Sequence, residues 1–336
     1  MAENFRPWGQ LNWLMGKLPA ANWSFLGTLG TEDRCTAAYL QLAPTVGPKR
    51  LLKILDPHIA EAALFHQRFE EIQATFEGGG AGAEDIVEAN LLQNIDRIAE
   101  ISEAFRNESD GKIVLDISSM PKRWFFPIMR FLSQDPEVRD LIVCYSVAGK
   151  YGDQLSSDPL PLGPLPTFDQ PRAEANYDDL VVGVGFAPLG LKDLFEADIE
   201  KIRYLFPFPP GPPNYFRNWE FLRSLESEVE NRNLRTEDRW QVHTFDVPDA
   251  FEALCRVTNG GDRTCALAPL GPKTHSLAMC LFALALERAG RQPAHVYYTQ
   301  PRRYALDYSV GTASYDGAPD IKAYCVKLDG RHLYEL

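Results

Sequence analysis

A chain of 336 residues exceeds one ordinary domain, and its 45% hydrophobic and 11% aromatic content suffices for two packed cores. Its formal net charge of −12 opposes nonspecific binding to duplex nucleic acid, which needs a broad positive surface. No run approaches the ~20 apolar residues of a membrane span, and residues 1–8 lack the charged-then-apolar pattern of an export signal, so a cytoplasmic protein without membrane contact is expected.

Residues 1–21, with Phe5, Trp8, Leu11, Trp13, Leu14 and Met15, show no strand–helix alternation and read as an N-terminal extension that packs on a domain or a partner. From Trp23 the patterns alternate: strand 23–30, helix 33–42, strand 50–55, helix 59–76, a glycine break at 78–82, helix 91–106, strand 112–117, helix 121–132 and strand 138–145. These make a first unit, 22–155. A linker follows over 156–177, where prolines 159, 161, 164, 166 and 171 oppose regular structure.

The second unit, 178–336, repeats the plan, with strands at 180–184, 202–206, 241–245, 264–268 and 295–299 and a late edge strand at 321–328. Its helices fall at 191–196, 217–231, 250–258 and 274–288, and 206–213 (FPFPPGPP) forms a rigid aromatic loop that either walls a site or is a plain turn. The fold class is therefore α/β: two tandem Rossmann-like units with mainly parallel sheets.

The two units align with each other. Segment 143–151 (VCYSVAGKY) matches 296–304 (VYYTQPRRY), 113–122 (IVLDISSMPK) matches 264–273 (TCALAPLGPK), and 23–30 (WSFLGTLG) sits where 180–186 (LVVGVGF) sits. Like units commonly pack about a pseudo-twofold axis. On that arrangement Lys122, Arg123, Lys150, Lys273, Arg302 and Arg303 converge on one anion.

Ligands of open α/β sheets bind beyond the carboxyl ends of the strands, where helix N-termini present N–H groups. Four loops qualify: 27–34, 118–123, 183–186 and 270–275. Gly27 and Gly30 permit close backbone approach, but Glu32 and Asp33 follow and repel a phosphate, so a dinucleotide site gripping a ribose with Asp56 is disfavoured. The loop Gly271, Pro272, Lys273 and Thr274 is the better phosphate candidate, because Pro272 suits a first helical turn, Lys273 supplies charge and Thr274 a hydroxyl. It lacks the leading glycine of a P-loop. Ser118, Ser119, Lys122 and Arg123 repeat these ingredients in the first unit. A lysine inside a helix start is also commonly just solvated.

Tyr151 and Tyr304, each beside a basic residue, are placed to stack on bases or, equally, to cap the core. Among six histidines only His275 lies beside a candidate loop, as a weak candidate for general acid–base work. The six cysteines form no Cys-x-x-Cys pair, and no zinc site, disulfide framework or cofactor is expected.

This tandem plan, with loop 27–30 (GTLG), loop 271–274 (GPKT) and its partner 119–122 (SMPK), resembles the CRISPR-associated Rossmann fold (CARF) sensors. The resemblance covers most of 22–310 in architecture and only these loops in motif. It implies a sensor or adaptor that binds a nucleotide, such as a cyclic oligonucleotide, and acts with a partner protein in bacterial antiviral defence. The family usually takes its two domains from two chains and adds an effector domain, a pattern from which this chain departs. From the chemistry of these residues the expected ligand contacts are Thr28, Gly30, Ser119, Lys122, Arg123, Tyr151, Gly271, Lys273, Thr274, Arg302, Arg303 and Tyr304. Two alternatives stand beside the sensor: a metal-independent enzyme that cleaves a nucleotide or phosphodiester in the same cleft, and a structural subunit of a larger complex.

Overall fold

The computed structural model of the protein describes residues 6–56, 62–169, 176–185, 191, 194, 199–209, 217–228 and 238–336. In chain order the elements are β1 (Trp8–Gln10), α1 (Leu11–Met15), β2 (Trp23–Thr28), α2 (Ala37–Leu42), β3 (Val46–Leu55), α3 (Ala62–Gly78), β4 (Ile86–Asn90), α4 (Ile95–Glu108), β5 (Lys112–Asp116), α5 (Lys122–Gln134), β6 (Asp140–Ser146), β7 (Ala148–Tyr151) and β8 (Ser156–Pro159). There follow β9 (Gly163–Pro164), β10 (Tyr177–Gly183), β11 (Ile199–Phe208), α6 (Arg217–Glu228), β12 (Arg239–His243), α7 (Val247–Val257), β13 (Cys265–Ala268), α8 (Lys273–Arg288) and β14 (His295–Tyr298). The chain closes with β15 (Pro301–Tyr304), β16 (Ser309–Thr312), β17 (Ser314–Tyr315), β18 (Ala318–Pro319), β19 (Ile321–Leu328) and β20 (Arg331–His332).

The chain divides into two compact units. One comprises Met1–Asp158 with Pro301–Leu333, the other Pro159–Gln300 with Tyr334–Leu336. The first is built on a sheet of order β1-β19-β6-β5-β2-β3-β4, with β20 beside β19, and the second on the order β12-β11-β10-β13-β14-β9. Numbering the five parallel strands of each unit by sequence, both sheets read 3-2-1-4-5, with an antiparallel strand outside the fifth. That order reverses direction between the first and fourth strands. In the first unit the reversal lies between β2 and β5, in the second between β10 and β13.

Central strands such as β6 are buried along their whole length, as expected where helices cover both faces of a parallel sheet. Phe25, Tyr39, Leu51, Phe76, Val114 and Ile142 form the first core on one face, and Leu180, Val182, Tyr204, Phe221 and Ala266 form the second. A large side chain so buried contributes roughly 1.5–3 kcal/mol. Helix α8 is buried on all sides over Thr274 to Leu286 and packs on α7, where the Phe251 and Phe282 rings meet 6.0 Å apart. Side chains cap the helix starts where backbone N–H groups are left over: Asn94 accepts from Arg97 N at 3.2 Å, and Asp246 accepts from Asp249 N at 3.0 Å.

Several boundaries differ from the sequence reading. Residues 8–15 are an edge strand, paired antiparallel with β19, and a short helix of the first unit whose Leu11 and Leu14, three residues apart on one helix face, lie in its core. The proline-rich stretch contributes β9, which pairs antiparallel with β14 at the sheet edge, where a proline costs no ladder bond. Strand β19, expected at the edge of the second unit, pairs with β6 of the first. Helix 33–42 begins instead as a 3-10 turn, Asp33–Cys35. Strand β4 was not expected at all. The expected helix 191–196 falls largely outside the described residues, as do Phe186 and 210–213 of the two loops named above.

The placement of β19 is directly testable. A chain ending at Gln300 leaves the apolar edge of β6 uncovered, so amide protection in β2, β5 and β6 should be lost while β10 and β13 keep theirs. Native hydrogen-exchange protection of β5 in that chain contradicts the assignment.

Candidate functional site

At the reversal point of the first sheet, β2 leaves the sheet at Thr28 and β5 at Asp116. The β5 exit is held by a turn in which Asp116 Oδ1 accepts from Ser118 N at 2.8 Å and from the Ser118 hydroxyl, while Ser118 Oγ accepts from Ser146 N at 2.7 Å. Ser118 is thereby structural, and Ser119 faces the β2 exit: a Cβ placed on Gly30 would lie 3.2 Å from Ser119 Oγ. Helix α5 then starts at Lys122 behind Pro121, with no side-chain cap.

Near this helix end Thr28 Oγ1, Ser119 Oγ and Arg123 Nε are buried without a hydrogen-bond partner, as is Ser146 Oγ at the end of β6. Thr28 shares the face of β2 with Leu26, opposite Phe25 and the α2–α3 core, so its hydroxyl points to the side of the sheet that α5 occupies. Lys122 is 8% exposed, and burial lowers its ammonium pKa to about 7. Burial also lowers that of Arg123, whose Nη2 donates to Gln93 O at 3.3 Å.

The loop between β2 and α2 is fixed by a buried arginine. Arg34, 1% exposed, pairs with Glu32 at 2.8 Å, donates to Tyr145 Oη at 3.1 Å and to Ser146 O at 3.4 Å, and lies within 5.6 Å of the Tyr145 and Tyr151 ring centres. Burial, the largest single influence, opposes its charge, but the Glu32 carboxylate together with Tyr151, Tyr145 and Tyr308 outweighs it and holds the pKa well above the ordinary value. Ser309 also donates to Glu32, and Asp33 accepts from Gly311 N at 2.9 Å and from Arg68. Both acids expected to repel a phosphate are thus neutralised within the unit.

Tyr151 is part of this network rather than an open platform. Its hydroxyl bonds that of Tyr145 at 2.9 Å, and burial raises its pKa well above 10. Arg302, Arg303 and Tyr304 lie on β15, in the first unit rather than the second. Arg302 is half-exposed 3.9 Å from Asp158, Arg303 is exposed, and Tyr304 N donates to the Asp56 carboxylate at 3.1 Å. That bond engages the carboxylate considered for a ribose.

In the second unit, Lys273 starts α8 behind Pro272 as Lys122 starts α5 behind Pro121. The next two residues of each helix make matching ties. Trp124 Nε1 donates to Leu91 O at 3.2 Å just past β4, and His275 Nε2 donates to His243 O at 3.1 Å at the end of β12. Arg123 reaches Gln93 O, and the Thr274 hydroxyl donates to Thr244 O. His275 therefore does the work of a structural indole N–H, in the tautomer with its proton on Nε2. Its burial lowers its pKa to about 4. Gly271 sits against the β10 exit, where a Cβ would lie 2.9 Å from Val184 O. Among the described residues no group of three or more His, Cys, Asp or Glu side chains is placed to hold a metal ion, and no helix is long and apolar enough to cross a membrane.

No protein-family model matches this chain, and no curated protein matches it in sequence. A solved structure, that of the functionally unknown protein PA1789 from Pseudomonas aeruginosa PAO1, is similar over 84% of this chain and 94% of its own at 12% identity, with a TM-score of 0.24. A likeness at that score carries no argument about function.

Two outcomes follow from the buried groups. Removing the Arg34 side chain leaves Glu32 as an uncompensated buried charge, so Arg34→Ala should destabilise the first unit by about 3–5 kcal/mol in denaturant unfolding. A loss below ~1 kcal/mol would show the pair to be energetically idle. His275, with a folded-state pKa near 4 against 6.5 unfolded, contributes stability that is complete above pH 6.5 and lost as pH falls through 4. His275→Gln, which keeps an N–H donor, should remove up to ~3 kcal/mol of the acid sensitivity of the second unit in that window.

Proposed function

We propose that this protein binds an anionic, base-containing small molecule, a nucleotide or cyclic oligonucleotide, with a phosphate seated at the strand-end crevice of its first unit. In this reading it is a sensor or adaptor whose bound state is read by a partner protein. The observation that carries the proposal is that Thr28 Oγ1 at the end of β2, Ser119 Oγ just beyond β5 and Arg123 Nε in the first turn of α5 are each buried without a partner. Each group left unsatisfied costs about 1–3 kcal/mol, and an acceptor-rich anion offsets that cost. All three can donate, Lys122 adds charge, and the amide end of α5 favours an anion electrostatically.

The position is also the one where open parallel sheets place their ligands, beside the reversal of strand order. Resemblance to CARF sensors supports a cyclic oligonucleotide as the ligand and cytoplasmic antiviral defence as the setting. A sensor returns its ligand intact. The ties of His275 to the β12 exit favour this over the enzymatic reading, because they engage that histidine in packing.

A thermal-shift and calorimetric screen of mono-, di- and cyclic nucleotides tests the proposal. A true ligand at 100 times its Kd should add about 2.7 kcal/mol of stability, and Ser119→Ala should weaken it by about 1 kcal/mol, close to fivefold. Recovery of the ligand unchanged after long incubation is expected, and multiple-turnover conversion contradicts the sensor. Because the Lys122 ammonium titrates near pH 7 in the free protein and a bound phosphate favours its charged form, affinity should be greatest below pH 7 and fall as pH rises toward 10. An affinity flat across that range removes Lys122 from the site.

A further inference from the structure

We infer that the described residues form one phosphate crevice and not two: the first unit binds, and the corresponding crevice of the second unit is closed by its own backbone. The inference rests on the nucleotide reading above. Register makes the two places comparable. Leu26 pairs with Leu115 as Val181 pairs with Leu267, and Leu29 N donates to Leu52 O as Val184 N donates to Leu205 O. Thr28 is therefore level with Gly183, and Gly30 with Gly185. Counting three residues back from the helix-start lysines sets Ser119 level with Leu270.

Both hydroxyls of the first crevice are thus absent from the second, replaced by glycine and leucine. The walls differ as well. A Cβ on Gly30 would meet the Ser119 side chain at 3.2 Å, whereas a Cβ on Gly185 would lie 1.9 Å from the carbonyl oxygen of Leu270 and 3.2 Å from Gly271 Cα. The Asp116-to-Lys122 connection is one residue longer than that from Ala268 to Lys273, so the second loop is drawn onto the β10 exit and turns a carbonyl oxygen toward it. An oxygen acceptor there repels an anion where Ser119 would donate to it. The hydroxyls of Thr274 and Ser276 add nothing to the crevice, since they donate to Thr244 O and to Pro272 O. The shared helix-start lysine is the part of the signature that sequence comparison sees, and the hydroxyls decide which copy works.

Native mass spectrometry and isothermal titration of the full chain with ATP and with cyclic di-, tri- and tetra-adenylate test this. The expected result is one ligand per chain for whichever probe binds. Ser119→Leu, which installs the residue of the second unit, should lower affinity at least tenfold with the circular dichroism spectrum unchanged, and Ser119→Ala, with its roughly fivefold loss, serves if that variant fails to fold. Lys273→Ala should stay within twofold of wild type. Two ligands per chain, or a tenfold loss in Lys273→Ala, overturns the single-crevice inference while leaving the nucleotide reading intact. Binding of none of these probes to the wild type overturns the nucleotide reading, and this inference falls with it.

Discussion

Arg34 is the residue on which the geometry of the candidate site depends. Its guanidinium is out of water, so its charge must be met inside the unit, and Glu32, Tyr145 and the Ser146 carbonyl meet it together. Those contacts tie the loop after β2 to the end of β6, across the exit of β5 that lies between them in the sheet. Through Glu32 to Ser309 and Asp33 to Gly311 the same loop also holds β16, which pairs with β7. Gly30 is carried by this loop. Its distance to Ser119 is thus set by a charge pair several residues away rather than by the glycine itself.

Both units use one device to place the helix that follows the fourth strand: the second and third helical residues bond to backbone carbonyls at the exit of the third strand. Arg123 and Trp124 do so in the first unit, Thr274 and His275 in the second. The side chains differ, yet the bonds are alike, because what the packing needs is a donor reaching a carbonyl that the sheet leaves without a ladder partner. This frees the first helical residue, a lysine in both, to differ in environment. Lys122 is buried beside groups without partners; Lys273 is half-buried beside a loop that has closed on itself.

Much of the alternation was legible in the sequence. Apolar runs bounded by glycine or proline mark β2, β5, β6, β10 and β13, and the matching helix-start lysines were visible from the repeat. Strand β4 was hidden because it is an edge strand with only Ala89 buried and Glu88 exposed, so it shows no apolar run. The home of β19 was hidden for another reason: pairing with β6 joins residues some 180 positions apart, and a strand pattern carries no label for its partner. The burial of Arg34 was equally illegible, since it sits in an acidic, polar stretch and its main partner outside that stretch, Tyr145, is 111 residues away. In the candidate site, 270–274 carries the stronger phosphate motif, while buried hydroxyls without partners lie at Thr28 and Ser119, whose burial no motif marks.

The central claim is that an anionic nucleotide sits where β2, β5 and α5 meet in the first unit. Hydrogen exchange read by mass spectrometry, with and without a nucleotide that stabilises the protein, tests it most directly. The account predicts slowed exchange in peptides covering Thr28 to Thr31 and Ile117 to Trp124, with the peptide over Leu270 to His275 unchanged. Protection confined to the second unit, with the first-unit peptides exchanging as in the free protein, would contradict it.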